Sequence, residues 1–224
     1  PGKQHRKDQL GEQSQAVAQQ LDEVAVGDRR HRVRGPRTSA AGERALREGR
    51  TQYLPALGLE SLRERLSQWY RDRFGLSVPA RRIVITAGAS AALQLACLAL
   101  IEAGDAVLMP DPSYPCNRQF VQAAQGQAVL LPCEAAQRYQ LSAAQVREHW
   151  GANTLGVLLA SPSNPTGTSM AASELREIHQ VVSQHGGITM VDEIYLGLSF
   201  DAAYGQTALA LDDGVISINS FSKY

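Results

Sequence analysis

The first regular pattern of apolar residues lies between Gly58 and Gly75. Apolar side chains recur there at helical spacing, at Leu59, Leu62, Leu66, Trp69 or Tyr70, and Phe74. This period predicts an amphipathic helix that packs one face on a core, and the glycine that follows predicts its end.

Beyond this helix, short β-rich runs alternate with helical stretches. The predicted strands are Arg82–Thr86, Ala106–Met109, Gln127–Leu131, Leu155–Ala160, Ile188–Asp192 and Val215–Asn219. The predicted helices between them are 89–102, 114–125, 142–150 and 173–185. This alternation predicts an α/β domain with a mostly parallel, doubly wound sheet and helices on both faces. Ligands bind such sheets beyond the carboxyl ends of the strands, so the residues after each strand are the candidates for chemistry.

Residues 1–40 differ from the rest of the chain. They are polar, show no convincing apolar period and carry a basic cluster at Arg29, Arg30, Arg32, Arg34 and Arg37. We interpret residues 1–40 as an arm or loop of uncertain structure and residues 41–224 as one large domain. An RNA-binding arm would carry interleaved aromatic residues, and none occurs there.

Composition narrows the classes of partner. The 22 basic and 22 acidic residues cancel, so net charge gives no argument for a nucleic acid or an anionic membrane. The most apolar helical stretch, Ala89–Ile101, contains Ser90 and Gln94 and is shorter than the roughly 20 residues that span a bilayer. It is therefore predicted to be a core helix, and no membrane partner is expected.

The cysteines bear on compartment and metal binding. Cys97, Cys116 and Cys133 are odd in number and lack metal-ligand spacing, and we see no signal-peptide pattern at the start of the chain. We therefore expect a cytoplasmic protein without a metal site.

The first two predicted strands lead into turns of special composition. Gly88, Ala89 and Ser90 open a helix, and free N–H groups at a helix start suit a phosphate, although a simple tight connection has the same pattern. Tyr114 follows a proline-rich turn, where its ring could stack on a flat cofactor or serve as an ordinary core or surface residue.

The next two strand ends carry an amide and a carboxylate. Asn164 lies between Pro162 and Pro165, which hold the backbone extended, so its amide is either fixed for binding or simply turn-forming. Asp192 ends an apolar strand and is followed by Tyr195 after two residues. A carboxylate at the buried end of a strand is costly unless it meets a cation or a metal, so Asp192 needs a partner.

The last predicted strand leads into Ser220-Phe221-Ser222-Lys223. Lys3 and Lys7 are the only other lysines, so Lys223 is the only amine nucleophile in the body of the chain. A lysine amine in suitable surroundings forms a Schiff base with an aldehyde. Together, the strand ends gather phosphate donors, an aromatic ring, an amide, a carboxylate, a phenol and an amine. Unrelated structural roles give no reason for this set, so the sequence predicts one functional site.

From about Tyr53 to Tyr224, the chain resembles the class I and II aminotransferases, which are pyridoxal phosphate (PLP) enzymes of fold type I. The most specific strings are Asn164-Pro165-Thr166-Gly167, Asp192-Glu193-Ile194-Tyr195 and Ser220-Phe221-Ser222-Lys223. The resemblance implies the large PLP-binding domain of that fold, incomplete here, with the small C-terminal domain absent from these residues.

The resemblance also implies a role for each residue near the cofactor ring. Lys223 is expected to form the Schiff base with PLP and to move the proton during catalysis. Asp192 is expected to pair with the protonated pyridine nitrogen. Asn164 and Tyr195 are expected to hydrogen-bond the phenolic oxygen of the ring, and Tyr114 to stack on its face.

The expected phosphate ligands lie at two strand ends. The resemblance implies the turn Gly88-Ala89-Ser90, together with the hydroxyls of Ser220 and Ser222. Tyr53 matches a tyrosine that reaches the phosphate of the neighbouring subunit, which implies a homodimer.

The function implied is transfer of an amino group between an amino acid and a 2-keto acid. Another fold-type-I PLP enzyme, such as a C-S lyase, decarboxylase or synthase, remains an alternative, as does an inactive truncated or regulatory PLP-binding protein. The spacing Ser220-x-x-Lys223 also occurs in serine β-lactamases, whose further motifs would have to lie beyond Tyr224. We expect residues 1–224 alone to aggregate and to lack transamination activity.

Overall fold

The computed structural model describes residues 36–223 of the chain. The chain divides into two compact units, one ending at Tyr53 and the other beginning at Leu54. In the first unit, the described part includes helix α1, Pro36–Arg47. The predicted arm of residues 1–40 and its basic cluster therefore lie almost entirely outside the described residues.

In the second unit, helices and strands alternate along the chain. The helices are α2 (Glu60–Phe74), α3 (Ala89–Leu100), α4 (Pro115–Ala123), α5 (Ala143–Glu148) and α6 (Ala172–Gln184). The strands are β1 (Ala106–Asp111), β2 (Gln127–Pro132), β3 (Thr154–Ala160), β4 (Ile188–Asp192) and β5 (Ile216–Ile218). Short 3-10 helices lie at Ala80–Arg82, Ala135–Gln137, Leu196–Leu198, Ala202–Tyr204 and Ala208–Ala210. The predicted helices and all but one of the predicted strands are confirmed.

The strands form one parallel sheet in the order β2-β1-β3-β4-β5. The chain places β2 on one side of β1 and then continues with β3 on the other side, so the strand order reverses between β1 and β3. Such a reversal opens a crevice at the carboxyl ends of the two strands, where doubly wound sheets bind ligands. The predicted fold class is confirmed.

Alternate residues of the strands belong to two separate cores. Leu108, Val157, Leu159 and Val191 pack with residues of α5 and α6. Their neighbours in sequence, Val107, Met109, Leu158 and Met190, pack with residues of α3 and α4. Because both faces of the sheet are covered by helices, the central strands are apolar at nearly every position rather than at every second one.

The predicted strand Arg82–Thr86 is wrong. Residues 80–82 form a 3-10 helix, and residues 83–86 have no strand partner among the described residues. The backbone N–H of Ile85 donates to the oxygen of Leu57 at 3.0 Å, which is a single bond rather than a ladder. Branched apolar residues favour an extended backbone, but a strand exists only where a neighbouring strand pairs with it.

Among the described residues, no helix is long and apolar enough to cross a membrane. Helix α3, the most apolar of them, buries Leu93 and Cys97 in one of the two cores. The prediction of a core helix at this position is confirmed.

Candidate functional site

The candidate residues follow strands that end at one edge of the sheet. Tyr114 lies three residues after β1, Asn164 lies four residues after β3, and Asp192 is the last residue of β4. Lys223 lies five residues after β5. Since all these strands are parallel and hydrogen-bonded neighbours, the four residues come from the same edge.

Asp192 is a buried carboxylic acid, with only 5% of its surface exposed. Its Oδ1 accepts a hydrogen bond from the N–H of Ile194 at 3.2 Å. Burial raises the pKa of Asp192 to about 6, against the smaller lowering effects of this hydrogen bond and of the charge of Lys223. The carboxyl group is therefore short of stabilising partners and suited to a further cation.

Lys223 and Tyr195 lie close to each other, and the charge of Lys223 acts on this carboxyl group. The Nζ of Lys223 lies 5.5 Å from the centre of the Tyr195 ring, over its face. Tyr195 precedes the 3-10 helix Leu196–Leu198 and is half-buried, whereas Lys223 is exposed. An amine that is accessible from solvent thus lies over the ring of a phenol and within electrostatic reach of a buried acid.

Tyr114 contacts Ser90 at the start of α3 and lies near Tyr195. It precedes the first residue of α4. A hydrogen bond with the thiol of Cys116 raises the pKa of Tyr114, and a hydrogen bond with Ser90 opposes this effect. The phenol of Tyr195 is close enough to raise the pKa of Tyr114 slightly through its charge. The structure therefore brings Ser90, Tyr114 and Tyr195 together.

The turn before α3 has the backbone that a phosphate site requires. Gly88 has φ 89° and precedes the helix, and no side chain caps the helix start within the described part of the chain. The first N–H groups of a helix have no acceptor inside the helix, so those of Ala89 and Ser90 remain available to an anion. The positive φ explains the glycine.

Ser220 and Ser222 contact each other in the segment that leads to Lys223. Their Oγ atoms are 2.9 Å apart, and the N–H of Ser222 donates to the Oγ of Ser220 at 3.2 Å. Among the described residues, neither serine forms a hydrogen bond with the turn Gly88-Ala89-Ser90. The two hydroxyls are paired, but their role towards a phosphate stays a prediction.

The remaining two predicted site residues are Asn164 and Tyr53. Asn164 is half-buried in a turn closed by a 2.8 Å hydrogen bond from the N–H of Ser163 to the oxygen of Thr168. Its amide forms no hydrogen bond with the described residues. Tyr53 is fully exposed and belongs to the other compact unit, so its expected role stays a prediction.

Two residues near the site were not given a role by the sequence. Glu193 is almost completely buried next to Asp192, and Cys116 contacts the hydroxyl of Tyr114. The apolar strand before Glu193 could have indicated burial. Nothing in the sequence indicated the contact of Cys116.

No cluster of three potential metal ligands occurs in the described part of the chain. A small cavity of about 180 Å³ lies away from the candidate site, between α6 and the 3-10 helix Ala208–Ala210. None of the predicted site residues lines it.

The fold and the site define a class of protein. A doubly wound parallel sheet that brings a lysine, a buried carboxylic acid and two tyrosines to the edge where such sheets bind ligands is an α/β domain of the doubly wound class. The sequence model of the family "Aminotransferase class I and II" matches residues 13–224. The chain belongs to this family.

Individual relatives agree with the family match. The chain is 37% identical over 187 residues to the valine–pyruvate aminotransferase of Mycobacterium tuberculosis, covering 83% of this chain and 48% of that protein. It is 32% identical over 183 residues to a probable aspartate aminotransferase of Methanocaldococcus jannaschii, covering 82% of this chain and 48% of that protein.

Solved structures show the same fold. An aminotransferase from Mycobacterium tuberculosis superposes with a TM-score of 0.78 at 36% identity, covering 83% of this chain and 48% of that one. An aromatic aminotransferase from Pyrococcus horikoshii gives a TM-score of 0.79 at 28% identity, covering 84% and 52%. The chain thus spans about half the length of the relatives that it matches.

Aminotransferases of classes I and II generally use PLP, and the residues present fit that cofactor. A protonated pyridine nitrogen would supply a cation to the buried Asp192, and the uncapped start of α3 would offer N–H groups to a phosphate. The exposed amine of Lys223 is available to an aldehyde.

Proposed function

We propose that the protein containing this chain is a PLP-dependent aminotransferase that transfers an amino group between an amino acid and a 2-keto acid. One observation carries the proposal: the only lysine of the body of the chain lies 5.5 Å from the ring of Tyr195 and within electrostatic reach of a buried acid, Asp192. The functions named for the relatives support the same reaction.

Each residue has a task in this proposal. PLP supplies an electron sink that stabilises negative charge at the carbon next to the amine. Asp192 would keep the ring nitrogen protonated, and Tyr195 and Asn164 would donate hydrogen bonds to the ring oxygen. Tyr114 would lie against the ring face, and Lys223 would hold the cofactor and then move a proton as general base and acid.

The phosphate would bind at the start of α3. The N–H groups of Ala89 and Ser90 and the positive end of the helix dipole favour an anion there, and Gly88 allows the turn. The hydroxyls of Ser220 and Ser222 would complete the phosphate site.

We also propose that two copies of the protein share their active sites. Tyr53 is fully exposed, and in this proposal its hydroxyl binds the phosphate of the other copy. The free thiols of Cys97, Cys116 and Cys133 agree with a reducing compartment, and we propose the cytoplasm.

The central test is covalent trapping of the cofactor. The protein expressed from the complete reading frame is incubated with PLP, reduced with borohydride and digested, and the labelled peptide is identified by mass spectrometry. We expect the label on Lys223. Lys223→Ala should lose the label and at least ~10²-fold of the amino-transfer rate, because it loses both attachment and proton transfer. Lys7→Ala is the matched control and should keep both.

The products of the same protein separate the alternatives. With PLP, an amino-acid mixture and 2-oxoglutarate, an aminotransferase forms glutamate in amounts equal to the keto acid released. Release of carbon dioxide or sulfide without glutamate would instead assign a decarboxylase or a C-S lyase. A label on Lys223 without any turnover would leave a binding protein, and a label elsewhere would overturn the proposal.

A further inference from the structure

Glu193 is a buried carboxylic acid for which the proposed reaction has no use. It is 1% exposed, and its two oxygens accept three hydrogen bonds. The N–H of Ala208 donates to Oε1 at 2.6 Å, and the hydroxyls of Thr207 and Ser217 donate to Oε2 at 2.7 and 2.5 Å. Three donors on two acceptor oxygens fill most of the acceptor positions of the carboxyl group.

Burying the carboxyl group of Glu193 costs free energy of folding, although this residue has no ligand in the proposed reaction. Burial raises the pKa of Glu193 above its ordinary value, although the bonds from Ser217, Ala208 and Thr207 lower it. The neighbouring charge of Asp192 raises it further. A buried carboxylate is retained against such a cost only where its hydrogen bonds are all satisfied. The three hydrogen bonds to the carboxyl group of Glu193 therefore indicate the role of this residue.

The bonds of Glu193 join three separate segments. Its side chain holds the turn at Thr207 and the strand β5 at Ser217, and its backbone N–H donates to the oxygen of Ile218 at 2.8 Å. Glu193 thus holds β5 twice, through two consecutive residues of the strand.

The same residue is linked to both groups on which the proposed reaction depends. It directly follows Asp192, and the strand that it holds ends five residues before Lys223. A shift of β5 along or away from β4 would move the amine relative to the acid. Misplacement of a catalytic group by about 1 Å can cost as much as ~10²-fold in rate.

We propose that Glu193 is a positioning residue that sets the separation between the carboxyl group of Asp192 and the amine of Lys223 by clamping β5 to the end of β4. The inference rests on the proposed function, because it assigns these two groups to one reaction. Glu193 itself touches neither substrate nor cofactor in this account.

The two hydroxyl donors provide matched variants. Ser217→Ala and Thr207→Val each remove one hydrogen bond to the same oxygen of Glu193. Thr207→Val also removes the acceptor of the N–H of Leu209, at 3.3 Å, so it should lower thermal stability at least as much as Ser217→Ala. Only Ser217 lies on β5. Glu193→Ala would leave three donors without an acceptor, two of them on the buried residues Thr207 and Ala208. It is expected to fold poorly, so the hydroxyl variants carry the test.

The first readout is kinetic and uses the holoenzyme from the complete reading frame. For each variant, kcat is expressed per borohydride-trapped site, which removes the effect of unfolded or cofactor-free molecules. We expect Ser217→Ala to lower kcat about 10-fold with KM within about three-fold. Thr207→Val should keep kcat within about three-fold.

The second readout needs no cofactor. The pKa of Asp192 is measured by carbon NMR of its carboxyl group in the cofactor-free protein. The charge of Lys223 lowers this pKa, so a displaced amine should let it rise in Ser217→Ala but not in Thr207→Val. Both variants remove one donor to Glu193, but the bond from Ser217 lowers the pKa of Glu193 more than the bond from Thr207 does. The comparison is therefore repeated with Lys223→Ala in each variant, where a rise of the Asp192 pKa that comes from a displaced amine disappears.

The outcomes separate this inference from the proposed function. If the parent transfers amino groups and the two hydroxyl variants behave alike, Glu193 has only a structural role and the inference is wrong. If the parent shows no amino transfer but the NMR shift appears only in Ser217→Ala, the clamp stands and the proposed function fails.

Discussion

At the scale of the residue, the burial of the Asp192 carboxyl group lowers the stability of the folded protein in the absence of a bound cation. This carboxyl group is desolvated, has one hydrogen bond from Ile194, and titrates near 6 rather than at its ordinary value of 3.8. Because the folded pKa is raised, the folded protein binds a proton more tightly than the unfolded chain does. Stability is therefore lost as the pH rises from about 4 to above 6.

We expect Asp192→Asn to stabilise the cofactor-free protein at neutral pH. A pKa difference of about two units corresponds to roughly 3 kcal/mol, and the new amide loses about 1 kcal/mol through an unpaired N–H. The variant should gain about 1 to 2 kcal/mol at pH 7 and gain nothing near pH 4. Urea unfolding at the two pH values checks this. A stability difference that does not change with pH would show that the folded acid titrates normally.

At the scale of elements, the sheet depends on contacts that leave no room for a side chain. Gly156 of β3 pairs with Ile188 of β4. A Cβ atom at Gly156 would lie 2.0 Å from the backbone oxygen of Ile188. Since both strands lie inside the sheet with helices on either face, neither can move freely to make space.

Gly156→Ala should therefore be strongly destabilising. Separating β3 from β4 would break part of the ladder that carries Asp192, and we expect a loss of roughly 2 to 4 kcal/mol. Gly151→Ala is the matched control, because a Cβ there would meet its nearest atom at 3.7 Å, and it should change stability by less than about 0.5 kcal/mol. Urea unfolding compares the two. Equal effects would mean that the strands adjust without cost.

At the scale of the whole molecule, the chain spans about half the length of the aminotransferases that it matches. Large apolar side chains are also exposed in the described part, among them Leu95 and Leu98 on α3 and Phe200. Exposed apolar groups of this size mark surfaces that other protein segments or subunits cover. The described residues therefore present apolar surface that is suited to burial by further protein segments or subunits.

We expect residues 1–224, expressed alone, to aggregate and to show no amino transfer. Rate enhancement requires a positioned substrate and exclusion of water, and the relatives perform the reaction with chains about twice as long. Light scattering and an assay with PLP, aspartate or alanine and 2-oxoglutarate would compare this polypeptide with the protein from the complete reading frame. Comparable turnover by both would contradict the expectation.

The amino-acid sequence by itself determined the sheet core and most candidates of the site. Strands such as Leu155–Ala160 are apolar on both faces because helices cover both sides, and this pattern is local. The sequence strings around Asn164, Asp192 and Lys223 are local as well. The candidate residues at the strand ends could therefore be predicted from the sequence. The glycine that precedes α3 was likewise visible, because its φ of 89° excludes most other residues.

Only the tertiary structure decided which groups meet. The run Arg82–Thr86 has strand propensity but finds no strand partner among the described residues. The contact of Tyr114 with Ser90 and the three bonds of Glu193 join segments that are distant in sequence. A sequence pattern reports the preferences of neighbouring residues, whereas pairing, burial and a raised pKa depend on atoms that folding brings from elsewhere in the chain.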